Sequence, residues 1–214
     1  MKNGALIAIG VAALIVAAGA AYLVRGMAPT PSAIESGRAY SAAHDTMMAA
    51  MAGSGVAWRG NPDADFAMLM IPHHQGAVDM AKVELKYGTD PKVRGLATRI
   101  AAAQQPEIDL MSRWRAGHPQ PSAVPEGSAA RQAYTAANDT MMNGMMGSSM
   151  AHSGNADRDF VDGMIPHHQG AIDMAAIETR YGNDPDLKSL AEKIVAAQRA
   201  EITEMGAWLK GQGK

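Results

Sequence analysis

Met70-Ile71-Pro72-His73-His74-Gln75-Gly76-Ala77 returns unchanged as Met164-Ile165-Pro166-His167-His168-Gln169-Gly170-Ala171, 94 residues further along a chain of 214. The offset holds well beyond these eight residues. Residues 40–117 align with 134–211 without a gap, and 43 of the 78 positions are identical. Asp45–Met48 repeats as Asp139–Met142, and Tyr87-Gly88-x-Asp90-Pro91 as Tyr181-Gly182-x-Asp184-Pro185. Similarity at a fixed period sets the layout for every later inference. It also supplies an internal control: positions that only face solvent drift after a duplication, so agreement between the segments marks residues under constraint.

Each segment reads as a short helix followed by two long ones, so the fold class is all-α. The first helix runs from about Ile34 to Met51 and is broken by Gly53, Ser54, Gly55, Gly60 and Asn61. Asp63 is placed to cap a long helix running to Tyr87, and Gly88 to end it in the left-handed conformation. Asp90 is placed to cap the next helix, with Pro91 at its first position, where a missing N–H costs nothing. That helix runs to about Arg115. Long helices of about 25 residues span roughly 37 Å, and a connection of about three residues forces them antiparallel. Two such hairpins, each with one apolar face, complete a four-helix bundle when packed together, with the short helices capping it. Two independent domains are the alternative. Pro72 and Pro166 fall inside these helices, where proline removes a backbone hydrogen bond at about 3 kcal/mol. A bend kept in both segments beside the histidines either aims them or is harmless.

Composition narrows the chemistry. The chain has no cysteine, which excludes disulfides, thiolate metal sites and a cysteine nucleophile. A net charge of −2 makes no electrostatic case for nucleic acid. Aromatics are 5%, too few for a β-rich core, whereas alanine and methionine, both good helix formers, dominate the apolar set. Methionine is the outlier at 17 residues.

At the N-terminus Lys2 precedes an apolar run from Ala5 to Val24, and Arg25 follows. A positive start and an apolar stretch are the order of an export signal, and Ala18-Gly19-Ala20 resembles a cleavage site. The run is also long enough to span a bilayer as an anchor. Both readings place the rest of the chain outside the cytoplasm. The expected layout is residues 1–27 as signal peptide or membrane anchor, 28–37 as linker, 38–117 as the first repeat, 118–130 as a Pro/Ser/Gly-rich linker and 131–214 as the second repeat.

On a helix, Met70, His73 and Met80 share a face, Glu84 lies further along the same stripe, and His74 sits about 100° round from His73. Met164, His167, His168, Met174 and Glu178 repeat this. In the first short helix His44, Met47, Met48 and Met51 line up. The second has Asn138 in place of His44, followed by Met141, Met142, Met145 and Met146, then Met150 and His152. A thioether is a soft, neutral ligand, and with imidazole it suits Cu(I) far better than Mg, Ca or Mn. It carries no proton at ordinary pH and does not form disulfides outside the cell, as a thiol does. Methionine stripes also fill cores, and a lone histidine is usually structural. Two adjacent histidine pairs, repeated, point to metal. A last stripe, Gln104, Glu107, Met111 and Trp114, recurs as Gln198, Glu201, Met205 and Trp208. Glu107 and Glu201 are placed either to accept hydrogen bonds from the far ring nitrogens of the histidines or to pair with local polar groups. Glu84 and Glu178 are the other carboxylates set to support the rings.

The pattern F-x-x-x-M-I-P-H-H-Q-G-A-x-x-M-A, here Phe66–Ala81 and Phe160–Ala175, resembles the domain-of-unknown-function 305 family, which includes CopM-type periplasmic copper-binding proteins. Leu69 and Gly163 depart from its usual residue before the methionine. The Tyr-Gly-x-Asp-Pro and Gln-x-x-Glu-Ile elements match as well, and the likeness covers nearly everything after residue 38. The resemblance implies a ferritin-like helical bundle, export, and copper bound through methionine and histidine. Likeness to ferritins stops at the fold, because the Glu-x-x-His di-iron pattern is absent.

Together these readings predict an exported copper-binding protein, not an enzyme, that sequesters or transfers copper, chiefly Cu(I) with Cu(II) as the second state. Other copper-handling envelope proteins are its expected partners, and it meets the membrane only through the N-terminal segment. The alternatives are a ferritin-like metal-dependent oxidase, for which Glu84, Glu107, Glu178 and Glu201 are the repeated carboxylates, and a structural helical interaction module without metal.

Overall fold

The computed structural model describes residues 31–53, 61–119, 128–147 and 153–212, and every regular element among them is helical. In order these are α1 (Pro31–Gly53), α2 (Pro62–Tyr87), α3 (Pro91–Gly117), α4 (Ala129–Gly147), α5 (Ala156–Tyr181) and α6 (Pro185–Gln212). The expected signal or anchor, residues 1–27, lies outside the described residues. No helix among the described residues is long and apolar enough to cross a membrane. α1 begins at Pro31, so residues 31–37, expected as linker, are helical. Proline is at home in a first helical turn, where its missing N–H removes no bond.

Capping sets the long helices. The Asp90 carboxylate accepts from the Lys92 and Val93 N–H groups, and Asp184 does the same for Asp186 and Leu187. Asn61, not Asp63, caps α2, its side chain accepting from Ala64 N, and Asn155 serves α5 in the same way. Asp63 is instead used across the molecule. One of its oxygens accepts from the backbone N–H groups of Asn183 and Asp184, at 2.8 Å each. Asp157 returns the contact, accepting from Thr89 N, Thr89 Oγ1 and Asp90 N. Each hairpin turn is therefore held by a carboxylate of the other segment. Tryptophan adds to the exchange: Trp114 Nε1 donates to Asp184, and Trp208 Nε1 to Asp90.

α2 packs along α3 and α5 along α6, the two hairpins meet chiefly through α2 against α5, and α1 and α4 lie on α2 and α5 respectively. Two apolar clusters fill the space, and each draws on both segments. One gathers Met47, Met51, Phe66, Leu69, Met70, Tyr134, Met174 and Leu187; the other gathers Tyr40, Met80, Leu96, Ile100, Phe160, Met164 and Met205. Both long helices run unbroken through Pro72 and Pro166, and α3 also tolerates Pro106.

Gly88 is not left-handed. Its φ of −67° and ψ of 151° are extended, as are −62° and 155° at Gly182. What demands glycine there is space. A Cβ at either position would run into the side-chain carboxyl of Glu84 or Glu178, which folds back under the turn. Gly88→Ala and Gly182→Ala should each destabilise the protein by about 1–3 kcal/mol, the usual cost of overfilling a packed site. Urea unfolding of the two variants checks this; unchanged midpoints would show that the carboxyls have room to shift.

Candidate metal centre

The four histidines of the repeated motif meet where α2 passes α5. His73, His74, His167 and His168 are all 0% exposed. The His73 and His167 rings lie 3.7 Å apart between centroids, with planes 37° apart. Each ring also neighbours the next in its own chain segment, His73–His74 at 6.4 Å and His167–His168 at 6.1 Å.

Hydrogen bonds fix which nitrogens carry protons. A carbonyl only accepts, so His167 Nε2, 3.0 Å from the His73 carbonyl oxygen, carries its hydrogen. His74 Nε2 lies 2.9 Å from Glu107, and His168 Nε2 lies 2.8 Å from Glu201. A carboxylate accepts as well, so these nitrogens are also N–H donors. In the neutral form of such a ring Nδ1 is the lone-pair nitrogen. Nδ1 of His74, His167 and His168, and both ring nitrogens of His73, are buried and meet no hydrogen-bond partner among the described residues. Burial pushes the His73 and His167 rings well below the ordinary histidine range, and the neighbouring imidazoles push them the same way. His168 is lowered by burial too, against the upward pull of Glu201. Glu107 and Glu201 keep 20% and 17% of their side chains exposed, so they join the buried rings to the rim.

Burial thus favours the uncharged form of His73, His167 and His168, and among the described residues no group of three or more His, Asp or Glu side chains is disposed to hold a metal ion. The same helices carry buried thioethers nearby in sequence. Met70 and Met164 stand one turn before His73 and His167, and Met80 and Met174 two turns after; all four are buried. An uncharged set of imidazole and sulfur donors suits a soft monovalent cation, which needs no anionic ligand to be held. Met70 and Met80 do not act as one face, however. Met70 shares its cluster with Met174, and Met80 with Met164.

The other expected residues fall in three places. Met47 and Met51 are buried beneath α1, and Met48 is half-buried beside them. Met47 rests against the α2 backbone at Gly76, where any Cβ would collide with its sulfur. His44 is half-buried; its Nδ1 is 3.8 Å from Asp45, and its Nε2 has no partner among the described residues. The side chains of Met141, Met142, Met145 and Met146, and the whole of Met150 and His152, lie outside the described residues. Glu84 and Glu178 are not beside the histidines, being about 16 Å along the helix axis from His73 and His167. They share the histidine face but not its depth.

These two carboxyls build a different cluster at each end of the long helices. Glu84 is 0% exposed, accepts from the Tyr40 hydroxyl at 3.3 Å and is pushed up to about 8 by burial and by Asp157. Two carboxylates cannot both be ionised in contact. Asp157 already accepts three backbone and hydroxyl hydrogens, so Glu84 is the member that keeps a proton, and its Oε1 has no other hydrogen-bond partner among the described residues. Glu178 repeats this with Tyr134 and Asp63 and is pushed up to about 9. Tyr40, Tyr134, Asp63 and Asp157 were absent from the sequence-based site, although all four are identical at the 94-residue offset. The same signal flags Gln104, whose buried amide has no partner among the described residues.

A family profile described as "Domain of unknown function (DUF305)" matches residues 63–209. Among solved structures, CopM in the Cu(I)-bound form is 30% identical, covering 70% of this chain and 96% of that one, with a TM-score of 0.54. CopM in an Ag-bound form is 32% identical over the same shares, also at 0.54. A candidate secreted DUF305 protein from Streptomyces coelicolor is 26% identical, covering 72% and 95%, at 0.58. Uncharacterized protein L153 of Acanthamoeba polyphaga mimivirus is 42% identical over 53 residues, which is 25% of this chain and 35% of that protein. The chain thus matches about a third of that relative.

The two sets of shifted groups act on stability with opposite signs. Lowered histidines bind fewer protons folded than unfolded, so they cost stability as pH falls below about 6.5. Raised glutamates bind more protons folded, so stability is lost as pH rises from the unfolded value near 4.5 through about 8 and 9. The metal-free chain should therefore be most stable near pH 6 to 7 and decline on both sides. In Glu84→Gln/Glu178→Gln the alkaline decline should vanish while the acid decline remains. Urea unfolding from pH 5 to 10 measures both limbs; an alkaline limb that survives the substitutions would refute the acid-pair assignment.

Proposed function

Since the chain belongs to the DUF305 family, we propose that it is an exported copper-binding protein that sequesters or transfers Cu(I) through histidine and methionine. The observation that carries this reading is the cluster of four solvent-free imidazoles, each with an Nδ1 that has no partner among the described residues, on helices that also bury four methionines within two turns of them. Relatives support it: the name of one records CopM with Cu(I), and of another CopM with silver, itself a soft monovalent ion. A further solved form of CopM carries Cu(II), which keeps the higher oxidation state within reach.

In this reading the chain is a duplicated hairpin forming a ferritin-like bundle, with residues 1–27 as its export signal or anchor. His73, His74, His167 and His168 supply nitrogen, and Met70, Met164, Met80 and Met174 supply sulfur. Glu107 and Glu201 hold two of the rings in the tautomer that leaves Nδ1 free. His44, Met47, Met48 and Met51, with Met141, Met142, Met145, Met146, Met150 and His152 in the second segment, form the softer approach from the short helices. Other copper-handling envelope proteins are the partners for transfer. Export is supported by the related Streptomyces protein, which bears a secreted description.

Anaerobic Cu(I) titration of the full chain against a competing chelator, with elemental analysis, tests the assignment. Met70→Leu/Met164→Leu removes sulfur while conserving volume, so the fold should cost less than about 1.5 kcal/mol. Cu(I) affinity should drop at least about tenfold. Glu107→Gln/Glu201→Gln should weaken it by about 10- to 100-fold. Affinity unchanged in a folded His73→Ala/His74→Ala/His167→Ala/His168→Ala variant would end the proposal.

A further inference from the structure

The histidines have no exposed surface, so a cation reaches them only when something moves. The short helices are the elements that cover the hairpins. α1 lies on α2 and brings the Met47 sulfur against the backbone at Gly76, less than one turn past His73. α4 lies on α5. Far from the histidines, each short helix also buries a tyrosine whose hydroxyl reaches a carboxyl of the long helix beneath it. Tyr40 OH is 3.3 Å from Glu84 Oε2 and 3.2 Å from the Ala156 carbonyl oxygen, and Tyr134 OH is 3.3 Å from Glu178 Oε2.

Both ties end on a buried carboxyl that folds under a turn glycine, beside the N–H groups that an aspartate of the other segment grips, and the second oxygen of each glutamate has no other hydrogen-bond partner among the described residues. We propose that Tyr40–Glu84–Asp157 and Tyr134–Glu178–Asp63 are two proton-held latches that fasten α1 and α4 over the histidine core, and that loss of the glutamate proton loosens those helices and admits the cation. The gating half of this rests on the copper reading of the core; the latch itself does not.

The charges around each pair decide which side gives way. Glu84 faces Tyr40 on α1, Asp157 on α5 and Arg94 on α3, while Asp159 adds negative charge at Tyr40. Glu178 faces Tyr134 on α4, Asp63 on α2 and Lys188 on α6, while Asp65 adds negative charge at Tyr134. Arg94 and Lys188 each donate to carbonyl oxygens of their own turn, Arg94 to Leu85 and Gly88, and Lys188 to Gly182. When solvent base takes the proton, two carboxylates are left in contact without water. Asp157 is tied by Thr89 and Asp90, and Asp63 by Asn183 and Asp184. The glutamate is the member free to swing toward solvent, and it takes the tyrosine's acceptor with it. At Glu84 and Glu178 this transition belongs near pH 8 and 9, where the two acids titrate in the folded protein.

Hydrogen exchange on the metal-free full chain tests the latch, with rates corrected for the intrinsic effect of pH. Protection of the α1 and α4 amides should fall by about tenfold between pH 7 and 10, while α3 and α6 stay protected. Glu84→Gln/Glu178→Gln keeps an N–H donor to each aspartate and cannot ionise, so its protection should stay level. Tyr40→Phe/Tyr134→Phe should lose protection in α1 and α4 already at pH 6, which tests the latch should the glutamine variant not fold. Wild type and the glutamine variant following the same pH course would overturn the latch. Stopped-flow uptake of Cu(I) alone should accelerate with pH in the wild type and not in the glutamine variant; equal rates would overturn the gating. No Cu(I) binding at any pH would instead defeat the copper reading, and the exchange data would still decide the latch.

Discussion

His73 and His167 meet ring to ring at 3.7 Å in a place that water does not reach. Burying an imidazole is tolerable only while it stays uncharged, and two in contact reinforce that demand. The surroundings follow from it. Glu107 and Glu201 approach only the outer rings, His74 and His168, and from the side that leads to solvent. The inner pair meets a backbone carbonyl and the neighbouring imidazoles. A charged carboxylate placed against His73 would protonate it and turn a neutral donor into a buried cation.

Desolvation acts at the ends of the long helices with the opposite result. There it keeps Glu84 and Glu178 protonated in the packing between segments. The same physical term therefore removes protons from the middle of the molecule and retains them at its ends. The inner histidines are kept uncharged, and each carboxyl pair is held to one negative charge instead of two.

Much of this was legible before any coordinates. Helical period, proline at helix starts and the Tyr-Gly-x-Asp-Pro turn located the long helices to within a few residues, and the 94-residue offset picked out the histidines and their carboxylate neighbours. What escaped was anything that one residue type can do in two ways. Asp63 carries the cap signal of an acid at a helix start, yet Asn61 does the capping, and Asp63 reaches a turn 120 residues away. Gly88 carries the signal of a left-handed terminator, yet it is extended and serves by leaving room for Glu84. Glu84 was put with the histidines because angular position was read and axial distance was not. Tyr40 gave no local signal of a buried anchor; only its identity with Tyr134 did.

The exchange of carboxylates between turns has a further meaning. Asp63 grips the turn at Asn183 and Asp184, and Asp157 grips the matching turn at Thr89 and Asp90. Contacts in which each half gives what it receives are those of a twofold homodimer. The tether between α3 and α4 then adds only proximity, raising the effective concentration of one half near the other. A polypeptide carrying a single segment would have the carboxylate-to-turn and tryptophan-to-aspartate contacts with which two molecules could pair in the same way. Such a pair would be concentration-dependent, whereas the present chain assembles at any dilution.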